Sequence, residues 1–198
     1  MTDIRTVAGH MAEFLIESYQ NARGVHVETL IGGAGALAGE FALRAAEPAL
    51  PDKGWVMSEK ASNLIFGDET KGEAGLWTVV YAGALRAGAG EDSLPRQDEV
   101  AARTAAAVGG SPFPPITVPD AHYPQEWSPN ACPRLRSGIE RIAKIQSLDR
   151  STTALAIAYA IAVLISHTKD ALPPAVSATL ALEIMVGVSH MVPMTEPI

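Results

Sequence analysis

Apolar residues return at three- and four-residue intervals along most of this chain, the spacing of one face of an α-helix. Ile4, Val7, Ala8, Met11, Phe14 and Leu15 predict a first helix over residues 4–20, closed by a turn ending at Gly24. Val27, Leu30, Ile31, Ala34, Leu37, Ala38, Phe41, Ala42 and Ala45 predict a second, which Pro48 and Pro51 forbid from continuing. Leu76, Trp77, Val80, Tyr81, Ala84 and Leu85 mark another, ended by Gly88 and Gly90. Ser93 and Pro95, with Asp98 and Glu99 behind them, open a further helix that runs to Gly109 and Gly110. Leu135, Ile139, Ile142 and Ile145 outline the next. Ser151 is expected to cap an uncharged apolar run to Ser166, and after Pro173 and Pro174 a second apolar helix returns to about Met191. Residues 55–58 and 63–66 are expected to pair as a small hairpin. The fold class is therefore mainly α: one domain over residues 1–198, of about seven helices, with a small β-hairpin and a long proline-rich loop.

That loop, residues 111–133, holds seven of the fourteen prolines, interleaved with Phe113, His122, Tyr123 and Trp127. Prolines favour extended backbone, and a loop this long in a compact chain wraps, functions or stays unfolded. It is expected to lie over a surface, anchored by its aromatic side chains.

Residues 25–46 admit two incompatible readings. Gly33, Gly35 and Ala38 fit the permissive form of a dinucleotide-binding loop, in which glycines let backbone N–H groups approach a pyrophosphate. The supposed strand before it would carry His26 and Glu28, and no strand–helix alternation follows. As a helix, the same run places Gly32, Gly35 and Gly39 on one stripe. Each glycine costs about 0.5–1 kcal/mol in a helix interior, so close approach of another helix is expected to compensate.

A net charge of −7 argues against nucleic-acid binding, which rests on neutralising phosphates. One cysteine, Cys132, excludes a disulfide framework and a multi-cysteine zinc site, so neither metal nor cofactor is expected. No secretory signal is seen, and the apolar run after Ser151 stops at His167 and Lys169, short of the roughly twenty residues a span needs. A cytoplasmic protein with no membrane contact is the expectation.

The chemistry-bearing side chains are few. His26 and Glu28, two apart, would point about 200° from each other on a helix and so share no ligand. Glu28 heads the glycine stripe, as either a salt-bridge partner or a general acid or base. Glu183 stands in an apolar run, where burial would raise its pKa toward general-acid use. His190 lies seven residues on, about 10 Å along the axis, too far to chelate one metal with it. Cys132 and His122 suggest a thiol–imidazole pair. Arg134, Arg141 and Lys144 on a basic helix are candidate contacts for a small anionic ligand, or simply a solvated face.

Four short segments also resemble an uncharacterised bacterial family: Arg23-Gly24-Val25-His26-Val27-Glu28-Thr29, Ala36-Leu37-Ala38-Gly39, Phe66-Gly67-Asp68 and Pro193-Met194-Thr195. Gly32-Gly33 and the proline-rich loop depart from that pattern, and the resemblance implies no activity. Two function classes stand open: a structural or interaction protein, or a small-molecule enzyme or binding protein using Glu28 or Glu183. Because three helices are nearly all apolar, a homodimer burying at least one of them is expected.

Overall fold

The computed structural model describes residues 3–47, 59–68 and 71–197. Among them are eight α-helices: α1 (Ile4–Tyr19), α2 (Val27–Ala46), α3 (Glu59–Phe66), α4 (Leu76–Arg86), α5 (Gln97–Ala107), α6 (Ala131–Ile145), α7 (Arg150–Thr168) and α8 (Pro174–Val188). One two-stranded antiparallel sheet joins β1 (Gly67–Asp68) to β2 (Glu73–Ala74), with Gly67 opposite Ala74. The chain is mainly α with one small hairpin, as its periodicity predicts.

The hairpin is displaced from its expected place. Residues 63–66 form the second half of α3, where Ala61 and Ile65, four apart, are both buried. Their apolar content suggests a strand, but their burial follows helical spacing. The expected partner arm, residues 55–58, lies outside the described residues.

α2 lies between α7 and α8, with α6 alongside. Every residue from 29 to 43 is buried, so this helix has a covered circumference and not the single apolar face its spacing suggested. The glycines make that possible. A methyl group at Gly35 or Gly39 would strike the α8 backbone at Ala181 or Met185, and one at Gly32 would meet Ser128, Pro124 and Ile184. Gly33 faces Tyr19. Gly33, Gly35 and Ala38 thus sit inside a continuous helix, and no phosphate-cradling loop forms there.

α8 is likewise enclosed, from Leu180 through His190. The expectation that one domain could not cover these apolar helices therefore fails for α2 and α8, because α2 is thin enough to be packed on all sides. α7 packs against α1, α2 and α4 but leaves a half-buried stripe at Leu155, Tyr159, Ala162 and Val163. It is long and apolar enough to cross a membrane, and half of its apolar window is buried inside the domain. Its N-cap is Asp149, whose carboxylate accepts the Thr152 N–H at 2.7 Å, so Ser151 is already inside the helix. On α6, Leu135 and Ile139 are buried but Ile145 is 72% exposed, outside the predicted core face.

Residues 111–133 run along α2 and α8. Contrary to expectation, Tyr123 and Trp127 are exposed, although the Trp127 indole donates to the Phe113 carbonyl at 2.7 Å. Smaller groups hold the segment: Pro114 against Gly187, buried Val118, and Pro124 against Gly32.

Candidate functional site

The start of α2 meets the proline-rich segment in a cluster of polar groups. His26 is the N-cap of α2, outside the helical geometry, and its Nδ1 accepts from the Thr29 N–H at 3.3 Å. The helical angle expected between His26 and Glu28 therefore does not apply. His26 Nδ1 stands 3.5 Å from Glu28 Oε2, while His122 Nδ1 lies 3.1 Å from Glu28 Oε1. The Thr29 hydroxyl accepts from the Gln125 N–H at 2.9 Å. One turn along α2, the buried Ser128 hydroxyl packs against Gly32 with no hydrogen-bond partner.

The electrostatics bear on Glu28. Burial pushes the Glu28 carboxyl up, but the His122 hydrogen bond, a backbone bond and the neighbouring imidazoles outweigh it, and its pKa falls below the ordinary value. Glu28 is then a permanent carboxylate at neutral pH, suited to orienting an imidazole and unsuited to donating a proton. A carboxylate on Nδ1–H fixes the tautomer that leaves Nε2 with its lone pair. The His122 side chain is 30% exposed and so reachable.

Glu183, the other predicted acid, is tied to two other elements of the fold. Glu183 is fully buried, pairs with Arg103, and accepts the Thr117 N–H and hydroxyl, each at 2.7 Å. Burial raises its pKa, against the pull of Thr117 and Arg103. It grips the proline-rich segment from α8. His190 lies just past α8, buried, with Nδ1 2.8 Å from the Val186 carbonyl oxygen. Cys132 is buried beside Glu40, and burial followed by the Glu40 charge lifts its thiol pKa well above the ordinary value. The pairing with His122 that the sequence suggested is absent, and the His122 Nδ1 lies against Glu28 instead.

Sequence reasoning missed Glu40. It is 1% exposed on α2 and is held by Arg44, one turn on, and by Arg136 of α6. Its signal was an acid in an apolar run four residues before an arginine. The three predicted anion contacts separate. Arg134 binds Glu126 at 2.7 Å and lies over the Tyr19 ring, Arg141 is exposed, and Lys144 lines a cavity with Arg44 and Arg150.

Comparison with protein-family models, curated proteins and solved structures finds no match to this chain.

Proposed function

We propose that this protein acts on a small molecule at the start of α2, with His122 as general acid–base and Glu28 as the carboxylate that orients it. The single observation behind this reading is the 3.1 Å contact between Glu28 Oε1 and His122 Nδ1 at a solvent-reachable position. A purely structural tie would work as well with the imidazole sealed inside. The unpartnered Ser128 hydroxyl supplies a further polar group at the same junction. Positioned acid–base groups contribute about 10²–10⁴-fold to a rate. The test is a panel of activated esters and phosphate esters, assayed with the intact protein. His122→Asn should abolish any turnover found and Glu28→Gln should lower it at least tenfold, with unchanged circular dichroism. Turnover that survives His122→Asn sinks the reading.

A second reading, self-association, rests on the open stripe of α7. Leu155, Tyr159 and Val163 are half-buried. A symmetric pair joined there would need about 1,200 Å² of buried surface. Sedimentation equilibrium decides: a dimer that Tyr159→Glu dissociates supports it, and a concentration-independent monomer ends it.

A further inference from the structure

We propose that the cavity between the end of α2, the end of α6 and the start of α7 binds a small organic anion, a phosphate or carboxylate carried on an apolar body. It has a volume of about 530 Å³ and lies at the far end of α2 from Glu28, roughly 24 Å along the axis. It is therefore a different site from the Glu28–His122 pair, and either can fail alone.

Charge selects the ligand class. Arg44, Lys144 and Arg150 reach the cavity from three different helices in a chain whose net charge is −7. Two acids, Glu140 and Asp149, also line it. Asp149 accepts the Thr152 N–H as the N-cap of α7, which directs its carboxylate to the helix end; three cations against two acids leave the lining one net positive charge. Arg44 is fixed by Glu40, whose Oε1 accepts from its Nε at 2.6 Å, and Arg150 donates from Nη1 to the Arg44 carbonyl at 3.3 Å. Guanidinium groups held this way match oxyanions through paired N–H donors. Half-buried Leu148 adds apolar surface to the lining beside Phe41 and Ala143. An organic body can cover that surface, and a bare inorganic ion cannot.

The backbone supplies an independent pointer. Ser147 is the one residue other than glycine with positive φ among the described residues, at 55°. It closes α6 in the left-handed position where glycine sits without strain: Ser147 N–H donates to the Lys144 carbonyl and Leu148 N–H to the Ala143 carbonyl at 2.9 Å. A glycine would close the helix without strain, yet the position that lines the cavity is a serine. Backbone outliers of this kind cluster at ligand sites.

Titration calorimetry on the full chain tests this with phenyl phosphate, benzoate and inorganic phosphate. Phenyl phosphate or benzoate should bind in the submillimolar range, inorganic phosphate more weakly. Lys144→Glu and Arg150→Gln should each weaken binding about tenfold, the scale of one lost charge-assisted contact. Ser147→Gly should weaken binding while raising the melting temperature by a few degrees, which separates a ligand role from a structural one. Absence of binding by the unaltered protein at 10 mM of about every probe, or binding that both charge variants leave unchanged, overturns the proposal.

Discussion

Gly35 and Ala181 meet backbone to backbone: a methyl group at Gly35 would stand 2.7 Å from the Ala181 carbonyl oxygen. Alanine there gains up to about 1 kcal/mol of helix propensity but must push α8 away from α2. Backbone cannot rotate aside as a side chain can, so the clash wins. Gly35→Ala should destabilise the fold by about 1–3 kcal/mol, and Gly35→Leu by more. Gly9 in α1 is the internal control, since nothing lies within 4 Å of its added methyl group. Gly9→Ala should stabilise by about 0.5–1 kcal/mol. Urea unfolding of both variants checks the pair, and equal stabilities would refute the backbone contact.

Arg136 grips Glu40 through two donors, Nη2 reaching Oε2 at 2.9 Å, and the same Nη2 donates to the Met194 carbonyl at 2.6 Å. The two partners differ in burial: Glu40 is 1% exposed, Arg136 17%. Removing the arginine strands a carboxylate away from water with only Arg44 beside it, and frees the C-terminal segment. Removing the carboxylate leaves arginines that water can reach. Arg136→Met should therefore cost about 3 kcal/mol and Glu40→Gln about 1–2 kcal/mol. The combined Glu40→Leu, Arg136→Met protein should be no less stable than Arg136→Met alone. A larger loss in Glu40→Gln than in Arg136→Met, by urea unfolding, reverses this assignment.

Seven of the eight helices were legible because each leaves a periodic trace, and even the glycine stripe at 35 and 39 could be placed against another helix from spacing alone. What escaped depended on partners far away in sequence. Glu28 sees His122, Glu40 sees Arg136 and Glu183 sees Thr117, separations of 94, 96 and 66 residues. No local pattern encodes such pairs. The aromatic anchors were misjudged for a related reason: Trp127 and Tyr123 have apolar area to bury, but the segment meets α2 and α8 through smaller groups, Pro114 and Pro124 on glycines and Thr117 on Glu183, which leave no room for a large aromatic side chain. The hairpin failed because residues 63–66 carry both strand-like composition and helix-like burial, and sequence shows only the first.

Glu183 ties the proline-rich segment to α8 and α5 at once, through Thr117 and Arg103. Glu183→Ala should release the stretch around Thr117 and leave Arg103 without its partner. Limited proteolysis of the folded variant should cut between residues 111 and 119, where the unaltered protein resists. Glu183→Gln, which keeps an acceptor for Thr117, should be cut more slowly. Equal cutting of all three proteins would show that Pro114 and Val118 hold the segment unaided.

His190 gives stability a pH dependence of determinate sign. Burial pushes its pKa below the usual 6.5, only partly opposed by the bond to the Val186 carbonyl. Below pH 6.5 the unfolded chain takes up a proton that the folded chain refuses, so stability falls as pH drops from 6.5 through the folded-state value and then levels. Glu183 works in the opposite sense: its raised pKa favours the folded state as pH falls through the folded-state value to the ordinary 4.5. A further loss belongs to Glu28 and Asp149, whose lowered pKa values supply stability above 4.5 and 3.8, lost as pH falls through their folded-state values. His190→Gln should remove the first decline while leaving the acid limb intact. Urea unfolding of both proteins from pH 8 to pH 3 of about equal spacing measures the two limbs separately. If the variant declines below pH 6.5 as steeply as the unaltered protein, the titrating group is not His190.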